Sequence, residues 1–194
     1  MKRKGILFVI SAPSGAGKTT LCKEVMNTFP DLKFSISCTT RDKRAGEVNG
    51  KDYHFTDEEK FRQMISDGAF AEWAEVHGKL YGTKLEDIKR STEKGEDIIL
   101  DIDWQGAKQI KEKITGGVYI FILPPDIEEL EKRLKQRGKD SEEVIRKRIN
   151  NAKEEISHSF WYDYNITNDN LHVAANALKS IVVAERCRTS LHVK

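Results

Sequence analysis

The feature that most constrains this chain is a glycine-rich segment that directly follows an apolar run. Residues 11–20 read Ser-Ala-Pro-Ser-Gly-Ala-Gly-Lys-Thr-Thr and come after the run from Gly5 to Ile10. Where a strand, such a turn and a helix follow one another, the backbone N–H groups of the turn bind phosphate oxygens. Lys18 would reach the β- and γ-phosphates of a nucleoside triphosphate, and the Thr19 hydroxyl would hold Mg²⁺. The segment therefore predicts a phosphate-binding loop.

The match to the phosphate-loop pattern G-x-x-x-x-G-K-[ST] is incomplete, because Ala12 stands at the position of the first glycine. Pro13 favours an extended backbone with negative φ at Ala12, where a Cβ is tolerated. The alternative interpretation is a plain glycine-rich turn. The apolar strand before the segment, and the helical spacing of Leu21, Val25 and Phe29 after it, favour the phosphate loop.

Charge and cysteine content argue against several functional classes. The 194 residues include 33 Lys and Arg against 31 Asp and Glu, a balance that is not typical of general nucleic-acid-binding proteins. Cys22, Cys38 and Cys187 lack C-x-x-C spacing and the 5 histidines are scattered, so neither a zinc site nor a disulfide framework is predicted. No apolar run reaches transmembrane length, and we expect a soluble, cytoplasmic protein without membrane or nucleic-acid partners.

Apolar runs alternate with helical patterns along most of the chain. The runs predict strands at residues 6–10, 34–37, 98–102, 118–123 and 164–167. Strands that alternate with helices indicate an α/β fold with a parallel sheet flanked by helices. Ligands of such sheets bind beyond the carboxyl ends of the strands, where the glycine-rich segment, Asp101 and Asp103 would meet. Asp101 would face the phosphate loop and support a metal ion there, the alternative being ordinary solvation of a strand end.

The segment 36–83 departs from this alternation and predicts a small mixed α/β insertion. It contains strand-like pieces at 51–55 and 69–77 around a short helix, before which Thr56 and Glu59 have capping-box spacing. Early in the segment, Arg41 and Arg44 lie three residues apart. Paired arginines bind phosphate in bidentate fashion, although a solvated charged loop is the alternative.

Glu72 occupies an unusual position in the second strand-like piece. In an alternating pattern it shares a face with Phe70, Ala74 and Val76, where an unpaired carboxylate would be costly to bury. A buried salt bridge is one solution, and a ligand that offers hydrogen-bond donors is another. The Watson–Crick edge of guanine presents N1–H and N2–H₂ to one carboxylate, and a hydroxyl such as that of Ser37 can serve O6. Adenine has the opposite pattern and would leave Glu72 unpaired.

Residues 126–157 are a second segment that departs from the alternation of strands and helices, and the pattern there predicts two arginine-rich helices. The first ends at Gly138 and the second begins near Asp140. The arginines of this stretch are Arg133, Arg137, Arg146 and Arg148. On helices such charges usually face solvent, but in a segment that closes over a nucleotide they stabilise a phosphoryl group in transfer.

Nearly the whole chain resembles the guanylate kinases. The segments that carry the resemblance are SAPSGAGKTT, FSISCTTRDKRAGEVNGKDYHF, AEWAEVHGKLYGT, ILDIDWQGA and EKRLKQRGKDSEEVIRKR. The second and third are highly specific, because phosphate loops in general lack them. The resemblance implies a phosphate-loop kinase core (1–35, 89–125 and 158–194), a GMP-binding region (36–88) and a helical lid (126–157). It also implies transfer of the γ-phosphoryl group of ATP to GMP with Mg²⁺, giving ADP and GDP in purine nucleotide metabolism.

The resemblance assigns site residues position by position. Those implied to bind GMP are Ser37, Glu72, Thr83 and Asp103 near guanine, and Arg41, Arg44, Tyr53 and Tyr81 at the phosphate. Those implied to bind ATP are Ala12, Pro13, Ser14, Gly15, Ala16, Gly17, Lys18, Thr19 and Thr20 around the phosphates, Arg137 in the lid, and Asn168 near the adenine ring. Thr19 and Asp101 are implied to hold the metal. The residues implied to act in phosphoryl transfer are Lys18, Arg41, Arg44, Arg133, Arg137 and Arg148.

Two departures and two alternatives accompany this interpretation. Cys38 and Lys43 stand where Ser and Pro are frequent in the family, but neither removes an implied contact. A guanylate-kinase-like binding module without activity would typically lack the phosphate loop or the metal-binding acid, whereas Lys18, Thr19 and Asp101 are present here. A kinase for AMP, UMP or dTMP would not use Glu72 to select its base. The sequence does not predict an oligomeric state.

Overall fold

A five-stranded parallel sheet forms the centre of the computed structural model, which describes residues 3–76, 78–136, 138 and 141–189. The strands are β1 Leu7–Ser11, β2 Lys33–Phe34, β3 Cys38–Thr39, β4 His54–Phe55, β5 Phe70–Val76, β6 Lys79–Lys84, β7 Ile98–Asp101, β8 Val118–Leu123 and β9 Tyr164–Thr167. The α-helices are α1 Lys18–Thr28, α2 Glu58–Ser66, α3 Leu85–Glu93, α4 Trp104–Lys113, α5 Ile127–Gln136, α6 Glu142–Ser157 and α7 Leu171–Arg186, and Ser159–Trp161 forms a 3₁₀ turn.

The central sheet has the order β2-β7-β1-β8-β9, and all of its pairs are parallel. The three inner strands β7, β1 and β8 are almost continuously apolar and buried because helices cover both faces. On one face Phe8 packs with Leu21 of α1 and Leu178 of α7. On the other face Val9 packs with Ile110 of α4. This arrangement confirms the predicted parallel sheet flanked by helices.

The segment between β2 and α3 forms a second, mixed sheet of four strands in the order β4-β3-β6-β5. Pairs β3–β6 and β5–β6 are antiparallel, whereas β3–β4 is parallel. Helix α2 covers this sheet, and the ring of Phe61 stacks on that of Phe70 with centroids 4.4 Å apart. The predicted strand at 34–37 is therefore wrong in its extent, because β2 belongs to the central sheet and Cys38 already belongs to the mixed one.

The predicted capping residue of α2 is also wrong. Asp57, not Thr56, caps the helix, and its carboxylate accepts a hydrogen bond from the Lys60 backbone N–H at 2.7 Å. The backbone N–H of Thr56 instead donates to the Thr39 carbonyl at 3.0 Å. Thr56 thereby continues the β4–β3 pairing, and the capping position moves one residue along. The predicted strand at 51–55 shrinks to β4 for a similar reason, since a turn from Val48 precedes it.

Strand β5 keeps only part of the predicted alternation. A β-bulge between Phe70 and Glu72 buries Phe70 and Ala71 together, and Val76 at the far end is 41% exposed. A bulge adds one residue to a strand and so breaks the period of two. Glu72 is nevertheless buried, at 6% exposure. His77, the last residue of the predicted strand, lies outside the described residues.

The arginine-rich stretch forms the two expected helices, α5 and α6. They pack through Leu130, Leu134, Ile145 and Ala152. The Ser141 hydroxyl caps α6 by accepting from the Val144 backbone N–H at 3.4 Å, and the predicted start near Asp140 lies outside the described residues.

No helix in the described part of the chain has the length and apolar character needed to cross a bilayer.

Candidate active site

The glycine-rich segment forms a loop between β1 and α1, and helix α1 begins at Lys18. Gly15 and Gly17 have φ values of 99° and 91°, a left-handed conformation that glycine adopts without strain. The loop lines a cavity of about 310 Å³, together with two acids from other elements. The cavity residues are Ala12, Pro13, Ser14, Gly15, Gly17, Lys18, Thr19, Thr20, Asp103 and Glu155. Of the predicted loop residues only Ala16 is absent from this lining, because its side chain packs in the hydrophobic core.

Asn168, which follows β9, holds the glycine-rich loop through a hydrogen bond to its backbone. Its amide Nδ2 donates to the Ala16 carbonyl at 2.7 Å, and the residue is buried. A Cβ on Gly17 would lie 2.3 Å from the same Nδ2 atom. Gly17 is therefore required for two reasons, its positive φ and its close contact with Asn168. The observed contact of Asn168 is thus with the loop itself, and its position near an adenine ring stays a prediction.

Lys18 and Asp101 bring the loop and the end of β7 together. The Nζ atom of Lys18 lies 2.5 Å from Oδ1 of Asp101 and donates to the Ile102 carbonyl at 2.9 Å. Asp101 therefore faces the phosphate loop, as the sequence predicts, and is not merely a solvated strand end.

The residues at this position fit Mg²⁺ that arrives with a nucleotide. Mg²⁺ is commonly held by one or two oxygen ligands of the protein together with phosphates and waters. Thr19 on the cavity wall and Asp101 beside Lys18 supply a hydroxyl and a carboxylate of that kind. Within the described ranges there is no cluster of three or more His, Cys, Asp or Glu residues that could hold a metal by itself.

The arginines of α5 and α6 differ in what they contact. Arg148 reaches the phosphate loop, where its Nη1 donates to the Ser14 hydroxyl at 2.9 Å. Arg133 instead donates to the carbonyl of Asn168 at 3.0 Å and to Glu129 at 3.0 Å. Arg137 lies outside the described residues. Helix α5 also touches the loop directly, since a Cβ on Gly15 would lie 2.9 Å from Leu130.

Glu72 and Thr83 lie side by side on β5 and β6. The Thr83 hydroxyl donates to Oε1 of Glu72 at 2.6 Å, and both residues are buried. Because Cys38 pairs with Gly82 and Glu72 with Thr83, the register puts Ser37 next to Thr83 in the same row. Three of the four residues predicted to lie near guanine are thus aligned, with Ser37 directly before β3, Thr83 on β6 and Glu72 on β5.

Burial raises the pKa of Glu72 to about 6, and the nearby Asp103 acts in the same direction. The hydrogen bond from Thr83 opposes this shift only in part. No Lys or Arg in the described ranges forms an ion pair with Glu72, so the alternative of a buried salt bridge is not what the fold contains. The carboxylate is therefore available to a ligand with hydrogen-bond donors.

The predicted phosphate end of the GMP site lies on the same face of the mixed sheet. Tyr81 is two residues before Thr83 on β6, a separation of about 7 Å along a strand. The ring of Tyr53 lies 6.0 Å from that of Tyr81, and the guanidinium of Arg41 lies 5.3 Å from the Tyr53 ring. Arg44 follows in the exposed loop after β3. A nucleotide could therefore contact Glu72 with its base and Arg41 with its phosphate.

Two acids near the site were not singled out from the sequence. Glu47 accepts from Arg41 at 2.7 Å and 3.1 Å and from the Arg44 backbone N–H at 2.8 Å, so it orients the arginine loop. The hydrogen bond from Arg41 lowers the pKa of Glu47. A turn with Gly46 at φ 86° brings Glu47 back toward Arg41, and the Ala45-Gly46 pair was the available signal.

Glu155 enters the phosphate-loop cavity from α6. Burial raises its pKa to about 7, partly offset by the charge of Lys18 and reinforced by Asp103. Nothing in its sequence neighbourhood distinguishes it from the other acids on the helix. Asp103 is close both to the phosphate loop and to Glu72. It lines the phosphate-loop cavity, and its charge raises the pKa of Glu72.

The comparisons with known proteins point to one family. The family model described as guanylate kinase matches residues 4–185. Guanylate kinase of Geobacter metallireducens is 59% identical over 97% of this chain and 93% of its own length. That of Geobacter sulfurreducens is 55% identical over 98% of this chain and 94% of its own length. The crystal structure of guanylate kinase from Anaplasma phagocytophilum matches with a TM-score of 0.77 at 36% identity, covering 100% of this chain and 92% of that one. From fold, site and relatives together, the chain belongs to the guanylate kinase family.

Proposed function

We propose that the residues described above carry out the ATP-dependent phosphorylation of GMP, with the triphosphate at the loop 12–19 and guanine at Glu72. The observation that carries the proposal is the row of Ser37, Thr83 and Glu72, in which Thr83 and Glu72 are buried and Ser37 is partly buried. One carboxylate in that row accepts the N1–H and N2–H₂ donors of guanine, and a hydroxyl donates to O6. The same row would leave adenine unpaired, which is the strongest form of discrimination available to a buried polar site.

The phosphate loop positions the donor nucleotide. Backbone N–H groups between Gly15 and Thr19 surround the phosphates, and Lys18 spreads the negative charge that develops on the group in transfer. Arg148 is already hydrogen-bonded to Ser14 of the loop, so its guanidinium is close to the phosphates. Thr19 and Asp101 would hold Mg²⁺, which when bound neutralises phosphate charge.

Arg41, Tyr53 and Tyr81 position the acceptor. With the base fixed at Glu72, they direct a phosphate oxygen of GMP toward the loop. No general base is needed, because the acceptor phosphate is already an anion. Catalysis then depends on alignment and charge stabilisation, as is usual for phosphoryl transfer.

The helical pair 126–157 is proposed to act as a lid, beside a GMP-binding region at 36–88 and a core formed by 1–35, 89–125 and 158–194. Packing of Leu130 against Gly15 and the contact between Arg148 and Ser14 support this division, because both connect α5 and α6 to the phosphate loop. Closure would exclude water, which otherwise competes with GMP for the phosphoryl group. Three free cysteines are compatible with a cytoplasmic location.

A panel of nucleoside monophosphates tests the proposal. With MgATP as donor, GMP is expected to exceed AMP, UMP and dTMP in kcat/KM by at least about 10³-fold. Comparable rates on AMP would overturn the assignment of Glu72 to guanine. No turnover with any monophosphate, combined with intact nucleotide binding, would favour a binding module instead.

A further inference from the structure

Helix α4 of the central sheet lies against β5 of the mixed sheet through one face. Gly106, Gln109 and Lys113 are spaced by three and four residues, so they share that face. Gln109 accepts from the Trp73 backbone N–H at 3.2 Å and donates to the Trp73 carbonyl at 3.0 Å. Lys113 donates to the Phe70 carbonyl at 3.2 Å. These contacts fix the backbone on both sides of Glu72 relative to α4.

Gly106 stands opposite the Glu72 carboxylate in this contact. A Cβ on Gly106 would lie 2.9 Å from Oε2 of Glu72 and 3.4 Å from its Cδ. Gly106 does not have the positive φ that would make glycine necessary for the backbone. Glycine is also among the poorest helix formers. What it contributes in the first turn of α4 is therefore space for the carboxylate.

An added methyl group would displace the carboxylate rather than the helix. The N-terminus of α4 is held by Asp103, whose Oδ1 accepts from the Gly106 backbone N–H at 2.8 Å. The body of the helix is anchored by Ala107 and Ile110 in the core. The carboxylate of Glu72 is the end of a flexible side chain, and its displacement would break the 2.6 Å hydrogen bond from Thr83.

We propose that Gly106 is a positioning residue for base selection, which keeps the Glu72 carboxylate in register with the donors of guanine. This inference rests on the proposed function of Glu72. It assigns part of the specificity for GMP to helix α4, which packs on the central sheet. The residues proposed to contact guanine, Glu72 and Thr83, lie on the mixed sheet instead. The relevant ligand is a purine monophosphate with adjacent N1–H and N2–H₂ donors.

The test compares Gly106→Ala with the control Gln105→Ala, the preceding and exposed residue of the same helical turn. Kinetics with GMP, IMP and MgATP and the melting temperature are measured for both. IMP lacks the 2-amino group, so it reports the second hydrogen bond alone. In Gly106→Ala the KM for GMP is expected to rise about tenfold and the preference for GMP over IMP to fall by a similar factor. The KM for MgATP should stay within about twofold and the melting temperature should not fall.

A second variant tests whether Gly106 acts through Glu72. In a Glu72→Asp background the carboxylate is one methylene shorter and withdraws from the methyl group. There, Gly106→Ala is expected to change the KM for GMP by less than about twofold, a non-additive result. Multiplicative losses would contradict action through Glu72.

The outcomes separate this inference from the function on which it rests. If the wild-type enzyme prefers GMP strongly but Gly106→Ala keeps its KM and its preference over IMP, only the inference about Gly106 is overturned. A lower melting temperature with both KM values raised alike would also overturn it, because the glycine would then serve the fold. If the wild-type enzyme shows no preference for GMP, the guanine assignment itself fails.

Discussion

The two proposed nucleotide sites of this enzyme are built in different ways. The proposed ATP side is local, because one stretch of ten residues, from the end of β1 at Ser11 to Thr20 in the first turn of α1, supplies most of its predicted groups. The proposed GMP side is dispersed, because Ser37, Glu72 and Thr83 come from segments that only the pairing of β3, β6 and β5 brings together. Changes on the ATP side should therefore reduce turnover of every acceptor, whereas changes on the GMP side should alter which acceptor is used.

The largest expected effect is that of Lys18→Ala. Removing the ammonium group that faces the cavity and Asp101 should lower kcat by about 10²–10³-fold with any monophosphate. The fold should persist, because Lys18 lies at the start of α1 and is not part of the core. Lys23→Ala, an exposed change on the same helix, is the matched control and should be neutral. Near-normal rates in Lys18→Ala would refute the assignment of the phosphate loop.

Glu72→Gln should have the next largest effect, and a selective one. The amide cannot accept both guanine donors, and its own N–H₂ group would face one of them, so kcat/KM for GMP should fall by about 10²-fold. The affinity for MgATP, measured by calorimetry, should change little. Glu75→Gln, an exposed residue of the same strand, is the control. Equal losses for GMP and ATP would remove the distinction between the two sites.

The third prediction concerns the pH dependence of GMP use. Because the pKa of Glu72 is raised to about 6, protonation below that pH removes an acceptor that guanine needs. The KM for GMP should rise toward about tenfold per pH unit below 6. The phosphate of GMP titrates in the same range, so Glu72→Gln serves as the reference, and only the dependence that this variant loses belongs to Glu72. Identical pH profiles in both proteins would count against the assignment.

The smallest expected effect is on the free energy of unfolding, and its sign follows from the raised pKa of Glu72. A carboxyl group whose pKa is higher in the folded state, here about 6 against an ordinary 4.5, favours folding only while protonated. This contribution is present below pH 4.5 and is lost as the pH rises through 6. Relative to Glu72→Gln, the wild-type protein should lose about 2 kcal/mol of unfolding free energy between pH 4 and pH 8. Denaturant unfolding at both pH values measures it, and an opposite trend would contradict the raised pKa.

Features encoded by adjacent residues were predictable from the sequence. Strands 118–123 and 164–167 have the predicted bounds, and the first of them is an almost continuously buried apolar run. The loop before α1 and the acid facing it were likewise recognisable, because the loop follows β1 and Asp101 ends β7, two strands that are neighbours in the same sheet.

Features that depend on pairing between distant segments were not predictable. Thr56 has the spacing of a capping residue, but its pairing with Thr39 moves the cap to Asp57. The bulge that disturbs β5 depends on β6 and could not be inferred from the alternation alone. Glu155 reaches the cavity only because α6 packs beside the loop. Tertiary packing decides such placements, and a pattern of residue types within one segment carries no information about it.

The most direct test of the account is a crystal structure with GMP and a non-hydrolysable ATP analogue bound together with Mg²⁺. The account predicts the triphosphate within hydrogen-bond distance of the backbone N–H groups of residues 15–19, and both guanine donors on the carboxylate of Glu72. A triphosphate bound away from this loop, or a guanine base without contact to Glu72, would contradict it.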